Sequence, residues 1–425
     1  MTKNDEAWEK LFNEHEILSH VERNGVFQIS AAQIKKFREP RLMTKFDHKI
    51  NLPGKFFRNE LSILPITRGD YLISHFEAWH EFEPINSPVI SMSLPEHLQS
   101  LDSENIFSET VALNCAAASG IIEDFTGDEN IFSTVSGRMS SGIFDFTINN
   151  THKNFLHAIH VNNSQIEIDA AYEGVNFLTL IEAKRDLSED FLIRQLYYPY
   201  RTWRNKISKP IKPIFIVYSN GIFYLREYVF EEPDKYNSLR LVKQKRYSIE
   251  NTRITLDDIQ KILNTVPSVI EPDISFPQAD KFERVINLCE LLSEKILSRD
   301  EITAQYAFDE KQTNYYTDAA RYLGLLEKFS DKRAVSYELS NFGRKILRLG
   351  FRERQLGYCK LILAHKIFAD TLKKFFEFGQ MPSTAEIIGL MKNANLYRIG
   401  SESTFERRAS TIKGWLNWII KLIDD

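Results

Sequence analysis

The stretch QIEIDAAYEGVNFLTLIEAK, residues 165–184, decides the architecture. Gln165 to Asp169 alternates polar and apolar side chains, the period of a half-buried strand, and Phe177 to Ile181 is an apolar run with the length of a fully buried one. Gly174 and Asn176 lie between the two and can turn the chain back. Side chains alternate faces along a strand, so Glu182 and Lys184 emerge together while Ala183 points into packing. Asp169 has only to end its own strand beside them. Two acids and a lysine at a sheet edge supply what metal-assisted cleavage of a phosphodiester needs. The acids offer hard oxygen ligands to a divalent cation, and the lysine manages an attacking water and the charge developing on phosphate.

The next segment predicts a helix: Ser188 as N-cap, Glu189 and Asp190 in the first turn, then Leu192, Leu196, Tyr200 and Trp203 at helical spacing. Strand, acid-x-lysine, then helix, with Asp169, Glu182 and Lys184 in place, resembles the PD-(D/E)xK nuclease superfamily. The segment QLYYPYR, residues 195–201, is similar to the helix after the motif in a group of type II restriction endonucleases. Residues 38–47 (REPRLMTKFD), 61–71 (LSILPITRGDY) and 136–142 (SGRMSSG) resemble further segments of that group. Ile168 stands where the motif's name has proline. The resemblance implies a type II site-specific deoxyribonuclease in which Asp169, Glu182 and the Ala183 carbonyl hold Mg²⁺, with Mn²⁺ able to substitute, and Lys184 orients or deprotonates water. Products would carry 5′-phosphate ends. Double-stranded DNA is the implied partner, and one motif per chain for two strands implies a homodimer, at least on DNA.

Composition narrows the alternatives. A net charge of −4 and a pI near 6.3 exclude a globally basic binder, so any nucleic-acid surface is local. Cys115, Cys289 and Cys359 are far apart and lack metal-ligand spacing, which points to a reducing compartment; the cytoplasm is expected. No apolar run approaches the ~20 residues of a membrane span. No phosphate-cradling Gly-x-x-x-x-Gly-Lys-Thr loop exists, so no dependence on ATP is expected.

The expected fold is a multidomain α/β (α+β) chain with a restriction-endonuclease-like core. Residues 1–100, punctuated by prolines, read as an amino-terminal DNA-recognition domain, and 103–230 as the nuclease domain, closing on a hairpin at Asn220-Gly221. The charged, proline-dotted residues 231–278 read as a linker with one helix near Leu256 to Leu263. Residues 279–350 follow the order helix, turn, helix, short wing and resemble a winged helix, with an apolar stripe from Phe282 to Ile296. Residues 351–425 read as a second helical unit, a further helix-turn-helix candidate.

Further candidates carry two readings each. Glu109, on the helix before the paired strands, is an additional metal- or water-organising acid or a solvated helix-start glutamate. Gln195 is a phosphate or water contact, or a polar face over the sheet. Asp145 and Glu167 sit one strand step from the preferred geometry. Arg38, Arg41, Lys45, Arg138 and Arg201 are candidate DNA contacts of the amino-terminal half. Asn314, Tyr315 and Arg321, then Arg407, Arg408 and Lys413, supply polar and basic groups on the two carboxy-terminal helices, whose alternative role is dimerisation. Rival functions are a structure-specific repair nuclease with the same core and a non-catalytic winged-helix regulator.

Overall fold

Leu178 and Leu180 pack into one hydrophobic core and Ile181 and Ala183 into another, so the apolar run is a strand buried on both faces. In the computed structural model, which describes every residue except Met1, Glu104, Asn105, Asn251, Ala307, Lys332, Arg333, Asn395, Arg398, Gly400 and Asp425, this strand lies within a mixed sheet of seven. The strands are β1 (Val89–Ser91), β2 (Phe132–Ser140), β3 (Gln165–Glu173), β4 (Leu178–Lys184), β5 (Ile211–Ser219), β6 (Ile222–Phe230) and β7 (Leu239–Ser248). Their spatial order is β1-β7-β6-β5-β4-β3-β2. β4 runs parallel to β5, with Lys184 opposite Val217, and β7 runs parallel to β1; all other neighbours are antiparallel. Helix α1 (Glu109–Ala118) covers one face through Leu113 and Ala116, and α2 (Arg194–Arg204) covers the other through Leu196, Tyr197 and Tyr198. The chain is a multidomain mixed α/β protein.

The Gly174–Phe177 turn that aligns β3 with β4 is held from outside. The buried Asp128 carboxylate accepts the main-chain N–H groups of Asn176 at 3.0 Å and Phe177 at 2.9 Å, and the Asn176 amide at 3.1 Å. A Cβ on Gly174 would collide with the Asp128 carboxylate, which is why glycine stands there. The hairpin joining β5 to β6 turns at Asn220 and Gly221, with φ of 51° and 78°, the left-handed pair a tight two-residue loop requires.

Residues from Ala7 to Ile73 close a separate core around Trp8, Phe12 and Phe56, with a three-stranded antiparallel sheet. A large helical core extends from Ile254 to Ile419 and contains Trp415 and Trp418. Its first part runs helix Phe282–Leu291, strand Leu297–Ser298, helices Arg299–Gln305 and Glu310–Tyr322, then strands Leu326–Asp331 and Ala334–Leu339. Among the described residues no helix is long and apolar enough to cross a membrane.

Several expectations are corrected by tertiary packing. Ser188-Glu189-Asp190 does not cap a helix: Asp190–Leu192 pairs with Trp79–Glu81, and Phe191 stacks on Phe82 and tilts against Phe215 at 4.9 and 4.7 Å, so buried aromatic area overrides a local capping pattern. The helix starts at Arg194 instead. Residues 231–278 are no simple linker, because β7 lies inside them; its lysines are matched by Glu227 and Asp124 across the sheet and helix. The expected helix appears as Leu256–Thr265. Val89–Ser91 belongs to the large sheet and Trp79–Glu81 pairs with Asp190–Leu192 in a separate two-stranded sheet, so neither belongs with the amino-terminal unit. The stretches 279–350 and 351–425 share one continuous core, and Ile296 is exposed rather than on the stripe.

Replacing Asp128 with alanine strips the β3–β4 turn of its acceptors and is expected to cost about 2–3 kcal/mol. A lowered urea midpoint at unchanged slope is the sign of this; an unchanged midpoint refutes the role.

Candidate active site

β3 changes facing partway along. Ile166 and Ile168 pack on the α2 side, whereas Ala170 and Tyr172 pack on the α1 side. Strict alternation would keep all four even-numbered residues together, so one extra residue has been inserted. The register with β2 jumps at the same place: Gly137 lies opposite Ile168 and Val135 opposite Ala171, three steps against two. This is a β-bulge at Asp169-Ala170, and it re-aims the Asp169 side chain. Pairing between β3 and β4 also stops here, at Ala170 opposite Ile181. The next main-chain donor of β4 on that edge, Ala183 N–H, is taken by Asp169 Oδ2 at 2.8 Å.

Glu182 and Lys184 project from β4 beside that carboxylate, with Ala183 buried on the opposite side as alternation predicts. Glu182 is 8% exposed, and its Oε1 accepts both the Lys184 ammonium and the Gln195 amide, the latter at 2.7 Å. Lys184 Nζ also reaches the Ala183 carbonyl at 3.2 Å. Burial pushes the Glu182 carboxyl up to about 8, aided by the charge of Asp169 and opposed by Lys184. Burial pulls on Lys184 in the other direction, but Glu182, Glu109, Asp169 and Asp47 together hold it well above the ordinary lysine range. The lysine is therefore held as a cation by its acidic neighbours. Burial likewise raises the Glu109 carboxyl, with Asp169 and Asp186 adding to the effect. Glu109 sits in the first turn of α1, whose start is fixed by Ser108 Oγ accepting Val111 N–H.

These groups line a cleft of about 220 Å³ together with Arg41, Lys45, Asp47, Arg138, Ile166, Glu167, Arg194 and Pro199. Glu182 is buried and Asp47, Glu109 and Asp169 are half-buried, while Arg41, Lys45, Arg138 and Glu167 are exposed, with Lys45 paired to Asp47 at 3.5 Å. Sequence reasoning missed Asp47 and Arg194, although each lies next to or near a residue it did select, and it set aside Glu167, which lines the cleft and pairs with Arg138 at 3.3 Å. Two features of α2 favour polar ligands. Gln195 Oε1 and Arg194 Nε are buried without a protein partner, and Pro199, lacking an N–H, cannot close the helical bond to the Gln195 carbonyl.

The expected residues do not all converge. Arg38 is half-buried outside the cleft. Arg201, expected on the DNA surface, is instead a buried structural group: it donates to the carbonyls of Asp145 at 2.9 Å and Pro233 at 3.1 Å, and pairs with Asp234 at 2.9 Å. Asn314, Tyr315, Arg321, Arg407, Arg408 and Lys413 lie in the carboxy-terminal unit and do not line the cleft. Arg321 is paired with Asp318 at 2.8 Å, Arg408 donates to Gln278, and Lys413 donates to Thr384 Oγ1 at 3.0 Å, whereas Arg407 is exposed, its Nε donating to the Ser403 carbonyl at 3.1 Å.

No group of three or more His, Cys, Asp or Glu side chains is gathered for a metal among the described residues. The site offers the buried Glu182 and half-buried Asp169 carboxylates, the Ala183 carbonyl and an orphaned amide oxygen. That set fits Mg²⁺, which keeps several waters and needs only one or two protein carboxylates; a water in its shell would satisfy Gln195 Oε1.

Three family models match successive parts of the chain, each described only as a domain of unknown function: DUF6996 over residues 5–73, DUF6997 over 74–248 and DUF7226 over 284–424. No curated protein and no solved structure matches it. The acid–lysine cluster falls within the middle segment.

Beside the cleft, both nitrogens of the buried His48 ring face acceptors, Asp186 Oδ2 at 2.9 Å and the Asp190 carbonyl at 2.8 Å. Burial alone would lower its pKa, but the hydrogen bonds to Asp186 and Asp190 raise it to about 10, so the ring is an imidazolium. Because this exceeds the unfolded value of about 6.5, its stabilisation is fully present below pH ~6.5 and drains away towards pH ~10. The advantage of wild type over His48→Gln in urea unfolding should shrink steadily across that window; a pH-independent difference contradicts the charged ring.

Proposed function

We propose that the chain is a Mg²⁺-dependent endonuclease of the type II restriction kind, acting on double-stranded DNA. The observation that carries this reading is the bulge that sets Asp169 beside Glu182 and Lys184 in a cleft lined also by the exposed Arg41, Lys45 and Arg138. Asp169, Glu182 and the Ala183 carbonyl would hold the ion, which when bound supplies Lewis-acid stabilisation of the phosphate and a more acidic water. Arg41, Lys45, Arg138 and Arg194 receive the phosphates flanking the scissile one. Gln195 and Lys184 orient the attacking water, and the Lys184 ammonium offsets the charge that develops on the phosphate in line with that attack. As a fixed cation Lys184 serves this electrostatic role better than proton abstraction. The elements of residues 282–339 follow the order of a winged helix, which supports base reading there, and exposed Arg407 adds a phosphate or base contact.

The test is Mg²⁺-dependent conversion of supercoiled plasmid or phage DNA to discrete fragments. Asp169→Ala and Lys184→Ala should each lose at least ~10²-fold in cutting while DNA binding, measured in Ca²⁺, survives. Full cutting in excess chelator, or a near wild-type rate in either variant, refutes the assignment.

Division of readout is tested separately. Arg41→Ala or Arg407→Ala should lower cognate over non-cognate preference by about 1–3 kcal/mol if the arginine reads a guanine, and weaken all DNA alike with a shallower salt slope if it holds phosphate. Unchanged affinity and salt slope for both variants would remove these residues from the interface.

A further inference from the structure

The tripeptide Arg185-Asp186-Leu187 leaves β4 directly after Lys184, and each of its residues is gripped from elsewhere. From the carboxy-terminal unit, Asn287 closes two bonds on its backbone: its amide donates to the Arg185 carbonyl at 2.6 Å, and its Oδ1 accepts Leu187 N–H at 3.0 Å. The same amide donates to Ser219 Oγ at 3.1 Å, at the end of β5, the strand paired with β4. Glu290, one turn along, accepts Ser219 Oγ–H at 2.7 Å and Asn220 N–H at 2.8 Å, so the helix holding Asn287 is fixed to the sheet. From the amino-terminal unit, His48 binds the Asp186 carboxylate at 2.9 Å; its neighbour Asp47 lines the cleft. The Arg185 guanidinium donates to the carbonyl of Phe107, two residues before Glu109, and lies 3.6 Å from Glu294 of the carboxy-terminal unit. The three family-model segments therefore meet at this point, through His48, the tripeptide and Asn287.

This convergence exceeds what cohesion needs. Asn287 is 5% exposed and His48 4%, and neither touches the acid–lysine cluster directly. Both act on the main chain or side chain of the segment that immediately continues the Lys184 strand, and Arg185 extends the restraint to the start of the Glu109 helix. Sub-ångström placement of reacting groups governs rate far more than it governs affinity, whereas DNA affinity rests on phosphate and base contacts elsewhere.

We propose that Asn287 and His48 are positioning residues: by clamping Arg185-Asp186-Leu187 they hold Lys184 and Glu109 in register with Asp169 and Glu182, so the flanking units set the turnover rate of the cleft and not only its hold on DNA. This rests on the nuclease reading above.

The experiment uses the full chain, with enzyme in excess over supercoiled plasmid. For wild type, Asn287→Ala and His48→Gln, three quantities are measured: the single-turnover cutting rate as a function of Mg²⁺, plasmid affinity in Ca²⁺ by filter binding, and the thermal midpoint. Each variant should keep a cooperative melt and plasmid affinity close to wild type, while its saturated cutting rate falls roughly 10- to 100-fold and its half-maximal Mg²⁺ concentration rises. If Asn287→Ala loses its cooperative melt, Asn287→Asp, which keeps the acceptor for Leu187 N–H but not the donor to Arg185, is judged by the same criteria. Folded variants that cut at the wild-type rate with an unchanged Mg²⁺ requirement overturn the inference alone, as does loss of rate that merely tracks loss of DNA affinity. A wild-type chain that cuts no DNA overturns the nuclease reading and this inference with it.

Discussion

An inserted residue in one strand is the constraint on which the rest of the site depends. Without the bulge at Asp169-Ala170, alternation would carry Asp169 away from the bulge-determined position, and β3 would continue pairing with β4 past Ile181. With it, the two strands part at the level of Asp169 and Glu182, and a carboxylate takes the main-chain donor that a ladder would have used. The unpaired strand ends open a cleft, and the acids come to line it. Burying acids is costly unless a positive charge accompanies them. Lys184, two residues beyond Glu182 and on the same face, is that charge: burial raises the Glu182 carboxyl, while the excess of negative neighbours holds Lys184 protonated against the opposing effect of burial.

The same electrostatic excess extends to the surroundings. Four carboxylates, those of Asp47, Glu109, Asp169 and Glu182, act on one lysine. Cations from two different units line the same cleft, exposed Arg41 and Lys45 from the amino-terminal one, and exposed Arg138 of β2 and half-buried Arg194 of α2 from the unit of the large sheet.

Packing supplies the rigidity this arrangement needs. β4 is apolar on both faces, and aromatic contacts surround its neighbours, with Phe191 against both Phe215 and Tyr228 on the α2 side. Each fully buried aromatic contributes about 1.5–3 kcal/mol of transfer free energy. Buried polar residues occur where units meet, as at Asn287 and His48, and there they are hydrogen-bonded, as low-dielectric surroundings require.

Periodicity made a good part of this legible. The alternation of Gln165 to Asp169, the apolar run to Ile181, the Asn220-Gly221 turn, the helix carrying Glu109, the helix near Leu256 to Leu263 and the shared face of Glu182 and Lys184 are local properties, fixed by φ/ψ preferences and side-chain direction within a few residues. Other features depend on residues far apart in the chain. Ser188 looks like a cap until Phe191 finds Phe82 and Phe215; Leu239–Ser248 looks like a charged linker until Glu227 and Asp124 meet its lysines; Arg201 looks like a surface cation until Asp145 and Pro233 present their carbonyls. The sequence by itself determined that Glu182 and Lys184 share one face of β4, because that follows from covalent spacing. Only the tertiary structure decided that Asp169 turns toward them, that Arg41, Lys45, Asp47 and Arg194 join them, and that His48 and Asn287 grip the segment beyond Lys184, because bulges, cleft linings and clamps arise from long-range packing that no local pattern encodes.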